Sequence, residues 1–352
     1  MLGVLLGWPH PLPLRAQENT KLNETLRRIF TSPEFAGKRS GPARWLKGGY
    51  VTIEPSATVK DASDIVRYET ATGKREVLVA ASQLIPPGDK SPLKIEDYAW
   101  SEDMSRLLIF TNSTRVWRQA TQGDFWVLDR RTSTLKKLGG TAPSSSLQFA
   151  KFSPDGSRAA YVHDHNIYSE DLITGKITLL TRDGSDKIIN GTSDWVYEEE
   201  FNVRDAFRWS PDSRRIAYWQ FDDNGVKDYA LVYDSGGPHQ VVTGIPYPQY
   251  GVYPTIQRFG YPEAGTTNPA ARVGVVGADG GTTQWMDVPG NPRESYIARL
   301  EWAGNAGSER VQYMGIRRSF RRDRRGTPQP AAEHERCSAR EREHGGRAPA
   351  LS

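Results

Sequence analysis

The chain has 352 residues, 37% of them hydrophobic, with 10 Trp, 15 Tyr, 33 Gly and 23 Pro, a mix suited to many short strands and tight turns in two average domains or one large β-domain. Its formal charge of +4 is unevenly held: residues 311–352 carry 10 Arg, no Lys and 5 acids, which leaves 36 basic and 37 acidic groups on residues 1–310. The near-neutral body excludes a nucleic-acid surface there, the single Cys337 excludes a disulfide framework or cysteine metal site, and no apolar run nears the roughly 18 residues of a membrane span.

Residues 1–16 contain the apolar run Leu2-Gly3-Val4-Leu5-Leu6-Gly7-Trp8 and end at Leu14-Arg15-Ala16. They read either as a clipped secretory signal cleaved after Ala16, which would export the protein to a periplasmic or extracellular space, or as an unstructured leader or misplaced start. Residues 17–49 form an N-terminal helical segment. Within it Leu22, Leu26 and Ile29 fall at i, i+4 and i+7, behind Asn19 or Thr20 as a cap, so the spacing predicts a helix over 19–31.

From about Tyr50 the pattern changes to short strands that repeat. Trp100-Ser101-Glu102-Asp103 leads into the apolar run 107–110. Phe152-Ser153-Pro154-Asp155-Gly156 leads into 159–162, and Trp209-Ser210-Pro211-Asp212-Ser213 into 216–219. The leading aromatics are 52 and then 57 residues apart, and a weaker copy begins at Glu301-Trp302. Ser-Pro-Asp-Gly is a type I turn signature, and the aromatic before it can pack between sheets. Strand–turn–strand pairs alternate with these turns: 65–69 with 77–79, 125–129 with 135–138, 167–171 with 177–180, and 230–234 with 241–242. The acids ending their first strands, Glu69, Asp129, Asp171 and Asp234, are spaced 60, 42 and 63 residues. Units of this length, each of about four strands, are β-propeller blades, whereas a sandwich gives no reason for the repeated aromatic-Ser-Pro-Asp signature. The 63-residue spacing leaves room for an insertion at about 183–207, a projection from a blade.

That insertion contains Asp194-Trp195-Val196-Tyr197-Glu198-Glu199-Glu200-Phe201. Three adjacent carboxylates repel one another and raise at least one pKa unless a cation is shared among them. One reading is a solvated acidic turn or a first helical turn, where the macrodipole favours Glu. The other follows from the flanking aromatics, which stiffen the backbone and lower the local dielectric, conditions that suit capture of an ammonium group.

The stretch 194–200 resembles the double-glutamate motif of the dipeptidyl peptidase IV family, serine exopeptidases of the prolyl oligopeptidase clan. The resemblance implies that Glu199 and Glu200 bind the free α-amino group of a peptide substrate, with Glu198 a neighbour of no assigned role. Arg118, in Arg115-Val116-Trp117-Arg118, is similar to a family arginine that binds a substrate carbonyl oxygen; its other reading is a surface arginine beside a strand. Tyr261-Pro262-Glu263-Ala264-Gly265 with Asn268-Pro269 is similar to a family segment for which a structural role is expected. The resemblance covers residues 50–310 and implies an all-β fold, an eight-bladed propeller of which about five blades are present.

His163-Asp164-His165 would place two histidines on one face of a strand, but with no third ligand it reads as structural. Asn23, Asn112 and Asn190 begin Asn-x-Ser/Thr sites, and Asp222-Asp223 reads as a strand-end turn. In the resembled family the chemistry lies in a C-terminal α/β-hydrolase domain with a Gly-x-Ser-x-Gly elbow, and this sequence contains no Gly-x-Ser-x-Gly. Residues 311–352 are Arg-rich and lack a strand pattern. They are expected to be disordered, and the change in composition suggests a frame change near residues 310–315. The sequence therefore predicts an incomplete propeller with a short N-terminal helix and a basic tail. It would recognise the amino terminus of peptides and would need no cofactor, metal or nucleic acid. It would not hydrolyse peptides by itself, and it would depend on a separately encoded or missing hydrolase domain. Its open edge would be covered by closing with fewer blades or by forming a homodimer. The alternative is a non-catalytic propeller that serves as a peptide-binding or protein-interaction scaffold.

Overall fold

The computed structural model describes residues 20–35, 43–46, 48–233 and 254–303, and the backbone alone of 310–322 and 328–340. Residues 1–16, read above as a leader, and the strand at 241–242 lie outside the described residues. The chain divides into two compact units, one ending at Val79 apart from the excursion Ala57–Ser63, the other holding that excursion and everything from Ala80 onward.

In the first unit, helix α1 (Thr20–Thr31) matches the predicted helix within one residue. Its apolar stripe of Leu22, Leu26 and Ile29 is exposed. Strands β1 (Arg44–Leu46), β2 (Gly49–Pro55), β3 (Ser63–Glu69) and β4 (Arg75–Val79) form an antiparallel sheet in sequence order. Tyr50 and Tyr68 stack across it with ring centroids 5.2 Å apart.

The second unit begins with two four-stranded meanders. The first is β5 (Asp97–Trp100), β6 (Arg106–Thr114), β7 (Gln122–Asp129) and β8 (Thr134–Lys137); the second is β9 (Leu147–Phe152), β10 (Arg158–His163), β11 (Asn166–Asp171) and β12 (Ile177–Leu179). They touch where Gln122 pairs with Gln148 and Gly123 with Leu147. Four-stranded antiparallel units repeated in this way are propeller blades, and no sheet among the described residues closes on itself.

Local chemistry accounts for the repeat. In each turn the serine hydroxyl donates to the aspartate two residues on: Ser101 to Asp103 at 2.7 Å, Ser153 to Asp155 at 2.6 Å and Ser210 to Asp212 at 2.6 Å. The serine carbonyl accepts the amide three residues on, at Met104, Gly156 and Ser213. Those three residues share a left-handed backbone, with φ of 55°, 70° and 63°. The leading aromatics link consecutive blades. Trp209 Nε1 donates to the Lys151 carbonyl at 3.3 Å, and Trp302 Nε1 to the Arg208 carbonyl at 3.1 Å. In both cases the acceptor is the residue just before the previous repeat's aromatic.

The next blade is built around β15 (Arg215–Asp222). One edge of β15 pairs with β13 (Ile188–Asn190) and then β14 (Phe207–Trp209); the other pairs with β18 (Ala270–Gly277), which pairs with β19 (Gln284–Trp285). Alternate residues of β15 enter two cores. Ala217, Trp219 and Phe221 pack with Val273, Val275, Ile297 and Leu300, whereas Ile216 and Tyr218 pack with Ala160, Val162 and Ile167. Since β13 and β14 lie along the same edge, the excursion between them interrupts one strand. It is narrower than the expected 183–207 insertion, because Ile188–Asn190 join the sheet.

The strand expected at 230–234 is β16 (Asp228–Tyr233); it pairs with β17 (Thr255–Gly260), with Tyr229 opposite Phe259 and Leu231 opposite Gln257. One further expectation is corrected. The basic segment expected to be disordered also contains strands. Next to β20 (Ser295–Ala303), β21 (Arg310–Arg322) and β22 (Pro328–Arg340) run antiparallel in the order β20–β21–β22. Ladder bonds are made by backbone groups, so an edge strand can template pairing without an apolar pattern.

Candidate functional site

The excursion between β13 and β14 carries helix α2 (Trp195–Phe201). Asp194 caps it, its Oδ1 accepting the Tyr197 amide at 2.8 Å. At the other end Asn202 adopts a left-handed conformation with φ 54°, and the Val203 amide returns to the Tyr197 carbonyl at 2.9 Å. Tyr197 anchors the helix. Its ring packs on Phe221 with centroids 4.4 Å apart, and its hydroxyl accepts the Ile297 amide at 3.0 Å where the pairing of β20 shifts register.

Adjacent residues of a helix point about 100° apart, so the three glutamates diverge. Glu198 is buried and accepts Arg204 Nε at 3.3 Å. Burial pushes its carboxyl up, Arg204 opposes the rise and Glu199 adds to it. The Glu199 side chain is 12% exposed and pairs with Arg118 Nε at 2.9 Å, whereas that of Arg118 is 79% exposed. Glu200 is exposed. Of the expected site residues, Arg118 and Glu199 are thus brought together, while Glu200, the next residue of the helix, is exposed.

Arg118 and Glu199 line a cavity of about 660 Å³ whose remaining wall is largely aromatic. Trp195 lies one helical turn before Glu199 and shares its face. From β16 come Tyr229 and Leu231, from β17 Gln257 and Phe259, and from the following turn Tyr261, Glu263 and Ala264. Trp195 meets Tyr261 with centroids 4.7 Å apart and Phe259 at 5.8 Å; Trp117 meets Phe259 at 5.5 Å, and Tyr229 meets Tyr261 at 5.5 Å. The wall was not foreseen, since the segment from Tyr261 was expected to be structural. Its signal was the alternation of Gln257, Phe259 and Tyr261 on one face of a strand. Within that segment Asn268 does brace the backbone, donating to the Arg293 carbonyl at 3.2 Å.

The remaining candidates lie elsewhere. His163 ends β10, while Asp164 and His165 form its hairpin turn with φ of 45° and 56°. The two histidines therefore do not share a strand face, because a two-residue hairpin needs positive φ at both central positions. Among the described residues no three His, Cys, Asp or Glu side chains gather in a metal-binding group, and no helix is long and apolar enough to cross a membrane. Asn190 is buried, its side chain donating to the His165 carbonyl and to Asp183 at 3.0 Å each, so this Asn-x-Ser/Thr site is not presented at the surface. Asp222 does serve a strand-end turn, accepting the Asn224 amide at 2.9 Å.

A family model described as the dipeptidyl peptidase IV (DPP IV) N-terminal region matches residues 101–324, past the 310–315 boundary suggested by composition. Dipeptidyl aminopeptidase B of Saccharomyces cerevisiae is 32% identical over 252 residues, 70% of this chain and 29% of the relative. The probable dipeptidyl-aminopeptidase B of Podospora anserina is 30% identical over 257 residues, 72% of this chain and 26% of the relative. The crystal structure of Porphyromonas gingivalis dipeptidyl peptidase 4 matches with a TM-score of 0.68 and 24% identity, over 86% of this chain and 41% of that one, a likeness of fold. The chain thus spans less than a third of the length of these two curated relatives.

Proposed function

The chain belongs to the dipeptidyl peptidase IV family through its N-terminal region, and from that premise we propose that it recognises the free amino terminus of peptide substrates. The observation that carries this reading is the Arg118–Glu199 pair set in an aromatic cavity. Glu199 is nearly enclosed, so its charge is poorly screened and attracts an ammonium more strongly than an exposed carboxylate would. Three ammonium N–H donors can share the carboxylates of Glu199 and Glu200. Arg118, paired through Nε, has further donors on an exposed guanidinium that can reach a peptide carbonyl oxygen. Holding the amino terminus fixes the distance along the peptide at which a bond is presented. Cleavage there is proposed for an α/β-hydrolase domain of the whole protein or of a partner chain.

A second reading, a protein-interaction scaffold that includes a homodimer, is favoured by one feature. Val232 and Ile256 face each other across β16 and β17 and are both exposed. Calorimetric titration separates the two readings. A tetrapeptide with a free amino terminus is expected to bind at least about tenfold more tightly than its N-acetylated form, and Glu199→Ala is expected to remove that difference, Glu200→Ala to reduce it. Equal binding of the two peptides overturns amine recognition in favour of the scaffold.

A further inference from the structure

We propose that the aromatic cavity is a second cation subsite that selects peptides whose first residue is lysine or arginine, with Glu263 as its counter-ion. The inference rests on the reading that Glu199 holds the peptide's amino group.

The argument begins with charge. Two carboxylates line the cavity, Glu199 and Glu263, against one cation, Arg118. Arg118 is paired with Glu199, so the charge of Glu263 is the one that no lining cation compensates. Among the described residues the Glu263 carboxylate has no ion-pair or hydrogen-bond partner. On β17 the residue nearest in type, Arg258, lies on the strand face opposite Phe259 and points away from the cavity.

Geometry places this charge beside the correct surface. Trp195 is one helical turn from Glu199, Tyr261 is two residues from Glu263, and their rings meet at 4.7 Å. The two carboxylates therefore flank a continuous wall that also includes Trp117, Tyr229 and Phe259. Aromatic faces attract ammonium and guanidinium groups, tryptophan most strongly, and a planar guanidinium also stacks on them. A peptide whose amino group is held at Glu199 would extend its first side chain along this wall. An aliphatic chain with a terminal cation covers the rings with its methylenes and delivers its charge to Glu263.

The test titrates the 352-residue chain at low salt with two tetrapeptides that differ only in the first residue, lysine or norleucine, each free and N-acetylated. The lysine peptide is expected to bind about fivefold more tightly than the norleucine peptide, as one partly exposed cation–π and carboxylate contact allows. Glu263→Gln is expected to bring that ratio to about one, and Glu263→Lys, whose side chain is equally exposed, to invert it. A wild-type ratio of one, or a ratio that survives Glu263→Gln, overturns the proposal and leaves the wall a purely apolar surface. The acetylated pair reports on the other reading. If acetylation leaves affinity unchanged while the Glu263-dependent ratio persists, amine recognition at Glu199 fails and the cation subsite stands. Absence of binding by all four peptides overturns both.

Discussion

Asp194 should make this protein less stable as pH rises, and Asp194→Asn should remove much of that dependence. The Asp194 side chain is 3% exposed; its Oδ1 accepts the Tyr197 amide, and its Oδ2 is buried without a partner. Burial raises its pKa to about 8, the charge of Asp223 adds to the rise, and the Tyr197 N–H pulls the other way. Asp223, 7% exposed and also with an unpartnered oxygen, is raised to about 6, chiefly by burial, with Lys187 and Arg293 opposing and Asp222 adding. At pH 7 the folded protein therefore holds Asp194 neutral beside an ionised Asp223. In the unfolded chain an aspartate titrates near 3.9.

Between about pH 4 and pH 8 the folded state thus binds a proton that the unfolded state has released. Stability from this group is complete below about pH 4 and lost as pH rises through 8, at up to about 1.4 kcal/mol per pH unit. From pH 5 to pH 8 that amounts to a ceiling of about 4 kcal/mol. Asparagine imitates the neutral acid: its carbonyl oxygen can accept the Tyr197 amide and it does not titrate. Urea unfolding followed by tryptophan fluorescence is expected to show the stability of the variant relative to the wild type rising by roughly 2–4 kcal/mol from pH 5 to pH 8. Parallel stability curves for the two proteins between pH 5 and pH 8 would refute the reasoning.

Gly191, which opens the excursion carrying α2, has φ +75°, and a Cβ there would lie 2.7 Å from Ile167 Cγ1 and 2.9 Å from Val162 Cγ2. Both neighbours are fully buried, so Gly191→Ala is expected to cost more than about 2 kcal/mol in chemical unfolding; an unchanged midpoint would show that the backbone relaxes freely there. Trp302→Phe keeps most of the ring and removes the Nε1 bond to the Arg208 carbonyl, for an expected loss of about 1 kcal/mol. A variant of unchanged stability would mean that the inter-blade bond is replaced by water.

What could be read from the residues was what short-range chemistry determines. The Ser101, Ser153 and Ser210 turns are local, because each serine, aspartate and left-handed residue lies within four positions, and their recurrence revealed the blades. The Arg118–Glu199 pair spans 81 positions and was reachable only through the resemblance of both segments to one family. The β16–β17 pairing was not legible because it sets Tyr229 opposite Phe259, 30 positions further on. With that hairpin went the aromatic wall, since Phe259 and Tyr261 acquire their meaning only once Trp195 is placed beside them. The strands of the basic segment were missed for the opposite reason, as backbone pairing there does not register in side-chain pattern.

The glutamate run shows why composition alone misleads about a site. Three adjacent carboxylates in an extended chain would alternate across two faces and leave two on the same side. In α2 they fan out, and each meets a different environment: Arg204 for Glu198, Arg118 for Glu199 and solvent for Glu200. The repulsion that made the run look like one acidic cluster is divided by helix geometry into separately compensated charges. Only one of them is both enclosed and adjacent to an exposed cation, and it is the one that faces the cavity. The helix that achieves this is seven residues long, too short to persist on its propensity alone. Its existence depends on the Asp194 cap and the Tyr197 anchor. Recognition at Glu199 is therefore tied to two residues outside the cavity lining.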